Sequence, residues 1–170
     1  YENLFDVNEF TNDGHKKIYQ SEHNLHEKKN FINISKNIEN FVRKNIANIF
    51  NSKKINLIKM WFVITKQSGI INKHSHFDSD LSGVLYLKVN LNSSNSGLEI
   101  FNPLGEMDIY KYNVSLNKIE KSTFTGDKYL FSPKNNDLII FNSYLEHSVQ
   151  NKDSNIADRI SLPFDLIFNS

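Results

Sequence analysis

Three of the chain's six histidines fall where their side chains could converge on a metal ion. The stretch His74-Ser75-His76-Phe77-Asp78-Ser79-Asp80 sets two imidazoles and two carboxylates at alternate positions, just ahead of Ser82-Gly83 and an apolar strand. Alternate residues of an extended chain project to one side, so His74, His76, Asp78 and Asp80 would share a face. A hydrophobic core has no use for such a face, whereas a metal does. Two imidazoles and a carboxylate on one face of an octahedral iron(II) leave three positions open for substrates. His147 follows the apolar run Leu138-Ile139-Ile140-Phe141 and the turn Asn142-Ser143-Tyr144, and supplies the third ligand from a neighbouring strand. Twelve residues further on stands Arg159, with Ser161 on the same face. A guanidinium grips a carboxylate through two parallel hydrogen bonds and keeps its charge. Arg159 and Ser161 can therefore hold the far end of a dicarboxylic co-substrate whose near end chelates the metal.

Two ligand sets overlap in this stretch. One is His76, Asp78 and His147; a carboxylate offsets part of the cation's charge, which favours it. The other is His74, His76 and His147, favoured by the register of the strand that begins at Ser82-Gly83. His76 and His147 belong to both, and Asp80 reads as a turn or capping residue. Each residue also has a plainer reading. A His-x-His pair can be a surface accident, Arg159 a salt-bridge partner, and Tyr86 and Trp61 core aromatics. The functional roles for the last two are a hydroxyl on the co-substrate carboxylate and a wall of the substrate pocket. Asn142 and Tyr144 are candidates to orient His147, or else cap their loop. His15, His23 and His26 carry no pattern and read as surface residues.

The elements that must position these groups follow from periodicity. Residues 26–50 place Phe31, Ile34, Ile38, Phe41, Val42, Ile49 and Phe50 near helical spacing, which predicts an amphipathic helix packed outside a sheet. From residue 55 the texture turns to β-branched and aromatic residues. Strands are predicted at 55–64, 81–89, 98–101, 129–131, 137–141 and 159–168, with an alternating piece near 109–116 and turn residues between them. Pro163 suits an edge or a bulge. A helix followed by many short strands predicts an α+β chain: a double-stranded β-helix, or jelly roll, with an N-terminal helical segment on its outside. One domain is expected, with residues 1–52 as helical support and 53–170 as the core.

Composition narrows the chemistry. The chain has no cysteine, which excludes disulfides, thiolate-held zinc and iron–sulfur clusters, so any metal must rest on imidazole and carboxylate. Formal net charge is +1, which gives no electrostatic footprint for nucleic acid. No apolar run reaches the length of a membrane span and no signal peptide opens the chain, so a cytoplasmic protein without a membrane partner is expected. It begins at Tyr1 rather than methionine, which leaves room for residues upstream.

The order of these pieces resembles the 2-oxoglutarate and iron(II)-dependent oxygenases, and within them a bacterial and phage subgroup. The matching pieces are Trp61, His74-Ser75-His76, Ser82-Gly83-Val84-Leu85-Tyr86, Gly97-Leu98-Glu99-Ile100-Phe101-Asn102-Pro103, His147-Ser148-Val149 and Arg159-Ile160-Ser161. They span roughly residues 57–168. The resemblance implies iron(II), 2-oxoglutarate as co-substrate, and hydroxylation of a substrate C–H bond with release of succinate and CO₂. It does not name that substrate, which could be a small molecule or a protein side chain. Two other functions compete: a three-histidine cupin-like enzyme that does not use 2-oxoglutarate, and a non-catalytic jelly-roll module. Arg159 argues against the first. Exposed sheet edges would allow a homodimer.

Overall fold

A computed structural model describes residues 8–12, 16–46, 49, 54–66, 69–89, 97–103, 128–150 and 158–169. The alternating piece at 109–116 lies outside them. The strands are β1 Asn8–Asn12, β2 Lys16–Gln20, β3 Lys54–Met60, β4 Val63–Thr65, β5 Ile70–His74, β6 Leu81–Lys88, β7 Gly97–Phe101, β8 Lys128–Phe131, β9 Leu138–Asn142, β10 His147–Gln150 and β11 Arg159–Asn169. They form two antiparallel sheets. The larger runs β1-β2-β4-β11-β6-β9, with β3 also paired to β11, and the smaller runs β5-β10-β7-β8. This is the expected jelly roll.

The long strand β11 explains the layering, because its alternate side chains serve two compartments. Ile160, Leu162, Phe164 and Leu166 join Ile55, Leu57 and Leu81 in the main core. Helix α1, Ile32–Asn45, closes that core from outside with Ile38 and Val42. Glu39 ties the helix to β3, its Oε1 accepting from the Leu57 N–H at 2.8 Å. The other face of β11 carries Arg159, Ser161, Pro163 and Asp165 towards the second sheet. There Ile71 packs on Trp61 and Val63, and Phe141 of the larger sheet meets Leu98 and Val149 of the smaller.

Several expectations need correction. The helix is shorter than 26–50, because Leu25 is pulled into the core as part of a 3₁₀ turn, Leu25–Glu27, ahead of it. Phe41 lies beside the buried stripe and is exposed. The polar N-terminal segment carries a hairpin, β1 and β2, and β2 pairs with β4. The 55–64 strand is broken at Trp61-Phe62, so that β3 and β4 address different parts of β11. Pro163 sits within a central strand, opposite that break. A strand residue's N–H and C=O point to the same neighbour. The Pro163 carbonyl accepts from the Trp61 N–H at 3.1 Å, so the side on which proline lacks a donor is the side where the ladder is interrupted. No described helix is long and apolar enough to cross a membrane.

Candidate metal centre

Strand β5 delivers His74 at its last position, and β10 delivers His147 at its first. The antiparallel register sets these two residues directly opposite one another. His76 lies just past the end of β5. Its backbone N–H donates to the Ser143 carbonyl at 2.9 Å, which fixes the connecting segment against the turn after β9. The three rings come together: centroids are 4.2 Å apart for His74 and His147, 5.3 Å for His74 and His76, and 5.2 Å for His76 and His147. Each offers a nitrogen, and these atoms lie within 4.8 Å of one another.

Hydrogen bonds decide which nitrogen each ring offers. Nδ1 of His74 lies 2.8 Å from the Asn72 carbonyl, Nδ1 of His147 lies 3.0 Å from the Leu145 carbonyl, and Nδ1 of His76 lies 2.8 Å from Asp165 Oδ1. Every one of these partners accepts, so each Nδ1 carries the proton and each Nε2 keeps its lone pair for the centre. Burial lowers the His147 pKa to about 4, and burial likewise lowers that of His74. Neutral imidazole is the metal-binding form.

Asp78 is not part of this cluster. Its carboxylate pairs with Lys59, and that hydrogen bond holds its pKa below the usual value. The alternate-residue rule carries from His74 to His76 and fails after it, because the chain bends at Phe77-Asp78. Asp80 is a capping residue, accepting from the Phe168 N–H at 2.7 Å. His147 is oriented by the Leu145 carbonyl; Tyr144 is exposed, and the residue of that turn which matters is the buried Ser143 between Asn142 and Tyr144.

The imidazoles open into a cavity of about 660 Å³ with mainly apolar walls, among them Trp61, Val63, Val84, Leu98, Phe141 and Val149. Trp61 thus walls the pocket, its ring 6.0 Å from His76. His23 is exposed, as expected of a surface residue, and lies at the pocket's edge with its ring centroid 4.6 Å from that of Trp61. Val63, Val84 and Pro163 contribute to the wall; on the same face, two residues after Val63 and Val84 and two before Pro163 on the antiparallel β11, come Thr65, Tyr86 and Ser161. Arg159 is the cross-strand partner of Thr65, and Ser161 that of Tyr86.

This second layer is polar and closed to water. Arg159 and Ser161 are each 5% exposed, and Tyr86 and Thr65 still less. Arg159 Cζ lies 5.9 Å from the Tyr86 ring. Burial lowers the Arg159 pKa, and burial pushes the Tyr86 hydroxyl up to about 12 despite the nearby guanidinium. Arg159 Nε and Nη1, and Thr65 Oγ1, find no hydrogen-bond partner among the described residues. Buried donors without partners cost free energy, and a bound anion would supply what they lack. Thr65 escaped notice in the sequence because a threonine in a β-rich run is ordinary; only the register sets it against Arg159. Asp165 was hidden in the same way, inside an apolar strand far from the histidines.

A family model described as "Putative 2OG-Fe(II) oxygenase" matches residues 59–165. No curated protein matches the sequence. Among solved structures, an oxidoreductase of the 2OG-Fe(II) oxygenase family from Burkholderia pseudomallei is similar over 97% of this chain and 74% of its own, with 15% identity and a TM-score of 0.66. HygX from Streptomyces hygroscopicus, with nickel and 2-oxoglutarate bound, is similar over 98% and 75%, with 9% identity and a TM-score of 0.65. A prolyl-4-hydroxylase from Pseudomonas putida is similar over 96% and 78%, with 14% identity and a TM-score of 0.60. At these identities the structural likeness establishes the fold.

Proposed function

Because this chain belongs to the 2-oxoglutarate and iron(II)-dependent oxygenase family, we propose that His74, His76 and His147 are its iron ligands, and that Arg159 and its neighbours hold the co-substrate. The observation that carries this reading is the convergence of three Nε2 lone pairs whose Nδ1 atoms are all bound to oxygen acceptors. The residues fit a divalent cation because three imidazoles converge on one point, and burial lowers the pKa of His74 and His147. They fit a dicarboxylate because a buried guanidinium beyond the pocket wall has its Nε and Nη1 without a hydrogen-bond partner among the described residues. Iron(II) with 2-oxoglutarate and O₂ supplies the oxidation of a substrate C–H bond, yielding succinate and CO₂.

The protein's own contribution is to bind, orient and exclude water. Arg159 engages the distal carboxylate of 2-oxoglutarate, and the Thr65 and Tyr86 hydroxyls and Ser161 complete that end. The Tyr86 phenol stays neutral and is a hydrogen-bond donor to a carboxylate. Between this polar end and the imidazoles, Val63, Val84 and Pro163 keep water from the co-substrate's carbon chain. Trp61 and the apolar wall form the remaining volume for the substrate, whose outcome we take to be hydroxylation. A cupin-like enzyme without 2-oxoglutarate would leave the buried Arg159 cation without a role.

Anaerobic titration of the full chain with iron(II), then 2-oxoglutarate, tests the reading. A weak visible charge-transfer band from the chelated co-substrate is the expected result. Protein that binds iron and never develops the band would refute the 2-oxoglutarate site.

A further inference from the structure

Three imidazoles leave a divalent cation with its whole charge, and the carboxylate of Asp78, one of the two candidates to join His76 and His147, is paired with Lys59. We infer that Asp165 is the positioning residue of the centre. It holds His76 with Nε2 towards the metal and lends the site its negative charge through the imidazole ring. The inference rests on the three-histidine ligand set proposed above.

Asp165 lies on β11, on the face that also carries Arg159, and is 1% exposed. Its Oδ1 receives two hydrogen bonds, from His76 Nδ1 at 2.8 Å and from Ser82 Oγ at 2.7 Å. Ser82 is its cross-strand neighbour on β6. The hydroxyls behind Ser82 form a directed chain. Ser79 Oγ donates to Ser143 Oγ at 2.8 Å, and Ser143 and Ser82 are 2.9 Å apart. Each serine has a single hydroxyl proton. Ser82 gives its proton to Asp165, so Ser143 must give its own to Ser82, and Ser79 gives to Ser143. The whole row therefore points its donors at one carboxylate oxygen and fixes it in place.

That placement distinguishes His76 from its companions. The acceptors for His74 and His147 are backbone carbonyls, whereas the acceptor for His76 is a carboxylate. A carboxylate raises the basicity of the imidazole it accepts from and locks its tautomer and ring plane. Lys59, the cross-strand partner of Asp165 on β3, does not neutralise it in this arrangement: its ammonium pairs with Asp78. Asp78 thus draws the lysine outward and leaves Asp165 to His76. A carboxylate charge thus stands one hydrogen bond away from the imidazole cluster.

Cobalt(II) titration of the full chain, with Asp165→Asn and Ser82→Ala variants, provides the test. Asp165→Asn keeps the size and an acceptor oxygen but loses the charge. It is expected to bind cobalt(II) about 10 to 100-fold more weakly, the range typical for losing such an outer partner. Its thermal midpoint should stay close to wild type. Ser82→Ala should lose less, in the same direction. In parallel, long-range ¹H–¹⁵N spectra of the zinc-loaded wild type should show His76 protonated at Nδ1 and metallated at Nε2. An Asp165→Asn variant that binds cobalt(II) as tightly as wild type overturns the inference, as does His76 metallated through Nδ1. The spectra decide the matter even where the variants fail to fold. Wild type that does not bind cobalt(II) at all would instead refute the three-histidine centre itself.

Discussion

Replacing Arg159 by methionine should make the ligand-free protein more stable while abolishing its response to 2-oxoglutarate. The guanidinium is 5% exposed, with Nε and Nη1 unpartnered among the described residues, and its nearest aromatic neighbour is Tyr86. Taking an ion out of water costs several kcal/mol after relaxation, and exchanging buried ionic groups for apolar ones of similar volume often gains 1–4 kcal/mol. Methionine keeps much of the unbranched stem that fills the site. For a chain of this length 1 kcal/mol moves the thermal midpoint by about 2–4 °C, so a gain of about 2 kcal/mol appears as roughly 4–8 °C. Ligand at a hundred times its Kd stabilises the wild type by about 2.7 kcal/mol, or roughly 5–10 °C, and should not stabilise the variant. Differential scanning fluorimetry under anaerobic conditions with iron(II), with and without 2-oxoglutarate, reads both effects. A variant that is less stable than wild type without ligand, yet shifts equally on adding 2-oxoglutarate, would refute the reasoning. Arg159 would then be a structural residue.

The ligand set is separable by paired variants. His74→Ala should weaken iron(II) binding by more than about 100-fold, beyond the loss of an outer partner. Asp78→Ala, which severs an exposed pair with Lys59, should leave it within about fivefold; titration calorimetry distinguishes them. Acid should destabilise the metal-free protein. His147 titrates near 4 when folded and near ~6.5 when unfolded. Below about pH 6.5 the unfolded state therefore takes up a proton that the native state refuses. Stability falls with pH until about 4, by up to about 3 kcal/mol, and His74 adds to the trend. Urea midpoints measured between neutral pH and about pH 5 check the sign. At Gly83 an added Cβ would lie 2.2 Å from Phe164 Cζ, in a ring with no exposure. Gly83→Ala should therefore cost about 1–3 kcal/mol in a urea titration, as overpacking does.

Residue types and local spacing carried the sequence reading a long way. His74 and His76 are two apart, and near-neighbour spacing on an extended segment is local information that survives without a fold. Arg159 and Ser161, two apart on a predicted strand, likewise share a face before any partner is known. The absence of cysteine fixed the ligand chemistry. What local spacing could not supply was the point where extension stops. Asp78 is as well spaced from His76 as His74 is, yet β5 ends at His74 and the bend turns Asp78 to Lys59. Register was equally invisible. Only pairing sets His147 opposite His74, Thr65 opposite Arg159, and Ser82 opposite Asp165. Those contacts join residues far apart in sequence, and their formation depends on hydrogen-bonded strands rather than on any property of either residue alone. The sequence by itself thus determined the donor types and the two-sheet body that would carry them; tertiary structure decided which groups meet, the three imidazoles with one another, Asp165 with His76 and Asp78 with Lys59.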